Sequence, residues 1–242
     1  MDMIDEGTMV AAAGWILDEV ANAGRENLDA GHVARYDSKE DAGAPAEVDL
    51  LLSHGMSRDS IVVDLGAGTG QFALAAAPRC ARIVAVDVSP VMVRALRAKV
   101  AKARLRNIDV VQAGFLSYEH HRAPAGVVYS RYALHHLPDA WKAIALTRMR
   151  TMLAADGIIR LCDVVYNFSP DEAPARIEQW CAMGSDDVGD GWYRVELEEH
   201  IRDEYSTYTW LLEPMINRAG LGIRTVDYSD DGFFARYVLE VA

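Results

Sequence analysis

Between residues 61 and 165, short β-branched apolar runs alternate with longer amphipathic stretches. Ile61–Leu65, Arg82–Val88, Asp109–Ala113, Gly126–Ser130 and Gly157–Val165 read as strands. The apolar run at Ile61–Leu65 suits a strand buried in a parallel sheet. Gln71–Ala77, Pro90–Ala103 and Asp139–Leu153 read as helices. Ser89 is a natural N-cap, and Pro90 fits the first helical position, where its missing N–H costs nothing. Strands and helices alternating at this length imply right-handed crossovers and a parallel sheet.

Both ends of the chain depart from this rhythm. Val10–Ala23 is periodic enough for a helix, with Trp15, Ile16 and Val20 on its inner face. The polar stretch Gly24–Asp41 follows and contains Tyr36-Asp37, and Ala46–Ser53 reads as a short helix. At the other end, Gly222–Tyr228 and Phe233–Val241 flank Ser229-Asp230-Asp231-Gly232, which predicts an antiparallel hairpin. A long insertion lies between Asp163 and Ser206, with helix-like stretches at Arg176–Met183 and Glu196–Asp203 around an acidic loop, Gly184–Gly191. A segment of this length at a sheet's carboxyl edge more often caps a site than merely connects. Glu204–Arg218 is expected to form a helix that begins with Tyr205, Tyr208 and Trp210, aromatic residues expected either to close a site or to pack in the core. The expected organisation is one domain, 1–242: a helical cap (1–55), a ligand-binding core (56–165), an insertion (166–205), and a C-terminal helix and hairpin (206–242).

Composition narrows the function. With 242 residues and 51% apolar content, the chain can bury one α/β core. A net charge of −12 disfavours tracking a phosphate backbone. The basic stretch Arg94–Arg106 reads as the solvated face of one helix. Cys80, Cys162 and Cys181 are odd in number and far apart, so neither a disulfide framework nor a zinc site is indicated. With no signal-like N-terminus and no apolar run of membrane length, a cytoplasmic protein is expected.

Residues Ile61–Gly70 carry the most chemical information. The sequence IVVDLGAGTG runs from an apolar strand through Asp64 into Gly66, Gly68 and Gly70. This is not a dinucleotide loop, because Gln71 stands where G-x-G-x-x-G needs its third glycine, and no Lys-Ser/Thr pair makes it a P-loop. The order Asp64-x-Gly66-x-Gly68-x-Gly70 resembles motif I of the class I methyltransferases, which use S-adenosylmethionine. The run Leu134-His135-His136-Leu137-Pro138-Asp139 resembles the segment after the fourth strand of many small-molecule members, and the terminal hairpin fits the same architecture.

The resemblance implies an α/β three-layer sandwich on a mostly parallel seven-stranded sheet with an antiparallel C-terminal strand. It also implies S-adenosyl-L-methionine as the methyl donor. Asp87, seventeen residues after Gly70, would accept the ribose hydroxyls, with Val88 and Met92 against the adenine. Asp64 would help hold the ammonium, while Gly66, Ala67 and Gly68 lie near the methionine moiety, as do Ser130 and Arg131. The third strand lacks the aspartate that often receives the adenine amino group, so Gly114 and Phe115, or the Gln112 amide, would substitute. Tyr36 is expected on the donor side, closing the site.

Methyl transfer from a sulfonium is an in-line displacement that depends chiefly on alignment and exclusion of water. If a proton must be removed, His135, His200 and Tyr205 are the candidate bases. Two adjacent histidines with no acidic third ligand at metal spacing do not indicate a metal. The expected acceptor is a small molecule methylated on O, N or C, and a homodimer is compatible with the sequence. The competing readings are methylation of RNA or protein, and a non-catalytic protein that binds the donor.

Overall fold

The computed structural model describes residues 14–39, 43–185 and 192–242. The expected rhythm is present as β1 (Ile61–Leu65), β2 (Arg82–Asp87), β3 (Ile108–Gln112), β4 (Ala125–Arg131) and β5 (Leu153–Tyr166), then β6 (Thr207–Tyr208), β7 (Leu221–Tyr228) and β8 (Phe234–Val241). The helices are α1 (Arg25–Leu28), α2 (Ala30–Val33), α3 (Tyr36–Lys39), α4 (Ala44–Ser53), α5 (Gln71–Ala76), α6 (Pro90–Ala103), α7 (Asp139–Met152), α8 (Ala173–Cys181), α9 (Arg194–Asp203) and α10 (Thr209–Arg218).

The main sheet has the order β3-β2-β1-β4-β5-β8-β7. Its first five strands are parallel, and β8 enters antiparallel between β5 and β7. The Asp-Gly turn behaves as its sequence predicts: Ser229 N donates to Phe234 O, and Gly232 adopts φ +76. Strand order reverses at β1, whose neighbours are β2 and β4, and this switch point opens a crevice at the carboxyl ends of the strands.

Apolar side chains cover both faces of the sheet. On one face Leu51 of α4, Phe72 of α5 and Leu96 of α6 pack on Val62, Ile83 and Val127. There the Phe72 ring stacks on Tyr129 of β4 at 3.7 Å. On the other face Leu146 and Met149 of α7, with Leu212 and Ile216 of α10, pack on Val63, Val128 and Ile159. A third apolar cluster fastens the insertion to the hairpin end, with Trp180 and Leu197 against Tyr166, Phe168 and Phe233.

Two expectations about these elements need correction, and a third lies mostly outside the described residues. The helix expected at Val10–Ala23 has residues 10–13 outside the described residues, and 14–23 form turns instead. Asp18 explains this: its carboxylate accepts from Val20 N and Ala21 N, and its carbonyl takes the Asn22 amide, a local alternative to helical pairing. The helix expected from Glu204 starts only at Thr209, because Thr207 and Tyr208 pair with Val165 and Tyr166 as an eighth strand. Of the acidic loop Gly184–Gly191, residues 186–191 lie outside the described residues.

One buried ion pair links the layers. Arg160, in β5, donates from Nε and Nη2 to Glu47 of α4 at 2.8 and 2.7 Å, with side-chain exposures of 6% and 13%. Removing one partner strands the other charge in the interior. Glu47→Ala should therefore lower unfolding stability by about 3–5 kcal/mol, read from the denaturant midpoint. Replacing both residues with apolar ones of similar volume should recover most of that loss.

Candidate active site

The glycine spacing follows from what crowds each position. Gly66 has φ +75, and a Cβ there would lie 2.3 Å from the Ala133 methyl carbon. Gly70 caps α5 at φ +87, where a Cβ would meet Leu96 Cδ1 at 2.0 Å, so α5 begins flush against α6. The loop's own donors are largely used internally. Gly66 N and Ala67 N both donate to Val86 O at 2.9 Å, and Gly68 N donates to Asp87 Oδ2 at 2.8 Å. What the loop presents to a ligand is bare backbone surface.

Two buried carboxyl groups stand below it. Asp87, the last residue of β2, accepts from Gly68 N and, through Oδ1, from Ser89 N at 2.8 Å. Burial pushes its pKa up to about 6 in spite of these two donors. Each carboxylate oxygen retains acceptor capacity for a further hydroxyl. Asp64 is 2% exposed, and its Oδ2 has no hydrogen-bond partner among the described residues. Burial, reinforced by Asp87, raises its pKa well above the carboxylate range. An unanswered carboxyl in the interior is costly, so this position suits a cationic or hydrogen-bond-donating group.

A cleft of about 70 Å³ lies between these strand ends and the N-terminal segment. Tyr36, Gly66, Gly68, Asp87, Val88, Met92, Gly114, Phe115 and Arg131 line it, so the fold brings these residues of the expected donor site together. Asp64 and Ala67 do not line it. Ser130 is fully buried within β4, with its hydroxyl unpartnered among the described residues, and is not a wall of the cleft. Gln112 is exposed and does not reach the cleft, so it does not replace the missing aspartate.

Glu19 occupies that region instead. Its carboxylate lies against Gly114 and accepts from Leu116 N at 3.1 Å and Ser117 Oγ at 2.9 Å. Burial raises its pKa. The sequence offered no signal for Glu19, because an isolated acid in a segment read as helix has no spacing to mark it. Two further ties hold the segment down: Ser89 Oγ donates to Asn27 O at 2.6 Å, and Asp37 accepts from Thr69 Oγ1 and Lys99 Nζ.

A second cavity, about 1360 Å³, adjoins the first and shares Asn27, Tyr36, Tyr132 and His136 with it. Tyr132 follows β4 at φ +50, a conformation that costs a non-glycine residue on the order of 1–3 kcal/mol. His135 and His200 both line this cavity. The His135 backbone N–H and Nδ1 are bound by Asp163 Oδ2 and Oδ1 at 3.1 and 2.5 Å, and its Nε2 lies 3.1 Å from Glu204 Oε2. Burial alone would push the His135 imidazolium pKa down, but Asp163 and Glu204 outweigh it and raise the value to about 10. His136 is driven the other way, to about 3, by burial and by the neighbouring His135 charge.

The H-H-L-P-D run thus anchors the end of the insertion. Tyr205 N donates to His135 O at 2.9 Å, Thr207 Oγ1 donates to Asp139 Oδ2 at 3.2 Å, and the buried Lys142 binds both Asp139 and the Tyr205 carbonyl. These ties place Tyr205 differently from the expected base. Its ring is exposed, lines neither cavity and donates to Asn22 Oδ1 at 3.3 Å. Trp210 is also exposed and stacks on Tyr208 at 5.5 Å, outside both cavities. Trp180 of α8 fills the role expected of those aromatics: it lines the larger cavity, stacked on Phe233 at 4.9 Å and 5.6 Å from the His200 ring.

Residues 62–157 match a family described as a methyltransferase domain. An uncharacterized methyltransferase of Anoxybacillus flavithermus is 25% identical over 164 residues, covering 68% of this chain and 70% of that protein. Other curated relatives are matched over only about half their length. Among solved structures, an S-adenosylmethionine-dependent methyltransferase from Clostridium acetobutylicum shares the fold with a TM-score of 0.66 at 12% identity, over 86% of this chain and 96% of that one. DhpI, solved as a complex with SAH, does so with a TM-score of 0.61 at 16% identity, over 92% and 97%. The domain match spans the glycine loop, Asp87 and the H-H-L-P-D run; residues 62–157 carry a methyltransferase domain, and the chain shares the fold of S-adenosylmethionine-dependent methyltransferases.

Proposed function

We propose that this chain methylates a small molecule held in the larger cavity, with the donor seated across the smaller cleft. The observation that carries this reading is that the two cavities adjoin and share Asn27, Tyr36, Tyr132 and His136. DhpI, the fold relative solved with SAH, supports the donor side of the reading.

S-adenosylmethionine, when bound, supplies a methyl group already activated by the sulfonium charge. The chain's residues suit the rest of that ligand. Asp87 has acceptor capacity for two ribose hydroxyls, and the orphaned Asp64 Oδ2, behind the cleft wall, suits the ammonium through a water. Glu19, beside Gly114, offers a carboxylate to the adenine amino group. Val88 and Met92 supply apolar walls, and Arg131 closes the methionine end.

Around the acceptor, the protein's work is alignment and exclusion of water. Tyr132 and Trp180 give the cavity apolar faces. Its polar lining is mainly acidic, with Glu26, Asp29, Glu196, Glu199, Asp203 and Glu204 against Arg25 and Arg202. This favours a neutral or amine-bearing acceptor over a phosphorylated one, and it disfavours RNA. His135 borders the acceptor with both ring nitrogens already engaged by carboxylates, so its part is to position the cavity wall.

Calorimetric titration with S-adenosylmethionine should show binding, and methyl transfer from labelled donor into a metabolite extract should label a small molecule. Label appearing only in RNA or protein would refute the acceptor class, and binding with no transfer to any fraction would point to a sensor. Asp87→Ala should weaken donor binding about 100-fold or more, since two hydrogen bonds to a charged group contribute roughly 1.5–3 kcal/mol each. Wild-type affinity in that variant would remove the ribose assignment.

The pH dependence has a defined sign. Donor hydroxyls favour the ionised form of Asp87, whose pKa in the free protein is about 6. Below that value binding must displace a proton, so the dissociation constant should rise as pH falls, approaching tenfold per unit. Titrations from pH 5 to 8 should show this slope, and Asp87→Asn should flatten its contribution.

A further inference from the structure

The geometry points to a divalent transition-metal site of the zinc type, formed by His135, His200 and Glu204 in the wall of the acceptor cavity. Their ligand atoms, from three positions in the chain, lie within 4.8 Å of one another. His200 and Glu204 are four residues apart at the end of α9, which sets them on one side of the helix, while His135 comes from the turn after β4. Glu204 Oε2 is approached by His135 Nε2 at 3.1 Å and more closely by His200 Nδ1. Neither approach is aligned as a hydrogen bond, and this buried oxygen has no hydrogen-bond partner among the described residues. Two imidazole nitrogens and one carboxylate oxygen thus converge as ion-pair contacts on a single point, close enough to share a cation.

The outer contacts are those of metal-bound histidines. A ligating imidazole usually gives its other nitrogen to a carboxylate, carbonyl or similar partner, which fixes the tautomer and ring orientation. Both rings are held in this way: His135 Nδ1 lies 2.5 Å from Asp163 Oδ1, and His200 Nε2 lies 3.0 Å from Ser206 Oγ. Charge favours the same reading. Asp163 and Glu204 are two buried anions, and a divalent cation would neutralise both while leaving the imidazoles uncharged. Two histidines and one glutamate form a known donor set for zinc with an open fourth position. All three side chains line the acceptor cavity, so that position faces the acceptor and suits an oxygen or nitrogen ligand. The metal binding does not rest on the proposed acceptor class; only the role of the open position does.

The test uses the full chain, stripped with a chelator and titrated with zinc or cobalt. One zinc ion should bind per chain, and cobalt should give the visible absorption bands of a four- or five-coordinate site. His200→Ala and Glu204→Gln should each lose metal affinity by 100-fold or more. Ser206→Ala, which leaves the ligands intact, should lose about tenfold. His121→Ala, at an exposed histidine outside the cluster, should bind normally. Far-ultraviolet dichroism and donor binding in each variant separate loss of metal from loss of fold. Absence of the cobalt bands in the wild-type protein would overturn the site without reference to any variant. So would zinc binding that survives both ligand substitutions in folded protein.

Discussion

Burying a carboxylate is unfavourable unless something answers its charge, and among the described residues three aspartates are buried at or near the carboxyl edge of one sheet. Asp64, Asp87 and Asp163 sit on β1, β2 and β5, each no more than 8% exposed. Two are answered by the protein, each in its own way, and one is not. Asp87 is capped by backbone N–H groups of the glycine loop and of the turn into α6. Asp163 is answered by His135, both at its imidazole and at its backbone N–H. Asp64 Oδ2 is answered by no other group among the described residues. The loop, the turn after β4 and the insertion take their positions from how these charges are met.

Asp163 has the longest reach. By fixing His135 it fixes the turn between β4 and α7, and through His135 it meets Glu204 at the end of α9. The neighbouring contacts run in the same direction, with Asp139 and Lys142 holding Tyr205 and Thr207. A stretch that could have been a loose excursion from the sheet is therefore attached to it by buried polar bonds as well as by the Trp180–Phe233 stack. Buried polar networks of this kind specify one arrangement because every misalignment leaves a charge unpaired.

The sheet was legible in the sequence because its signals are local. The boundaries of β1 and α6 depend on apolar runs, on Ser89-Pro90 and on the glycine turn, all contained in a few residues. Asp87 was legible because its spacing from Gly70 follows from one helix and one strand. The failures are equally physical. Trp15, Ile16 and Val20 have helical spacing, but Asp18 diverts the backbone into turns, and side-chain competition of this sort does not alter apolar periodicity. Tyr205 and Trp210 read as either site-closing or core aromatics, yet both lie at the surface. Glu19 and Glu204 enter the site from distant segments. An acid that joins histidines across tertiary contacts, as Glu204 does, leaves no pattern along the chain.

The N-terminal segment has one more consequence, for access. Glu19, Asn27 and Asp37 pin it across the strand ends by contacts to β3's exit, to Ser89 and to Thr69. Beneath it the cleft holds about 70 Å³, whereas sites for ligands of this size measure several hundred. A nucleoside-sized molecule needs more room than the segment leaves in this position. Seating such a ligand would require residues 14–39 to shift, so the strength of these three ties bears on how readily the cleft opens.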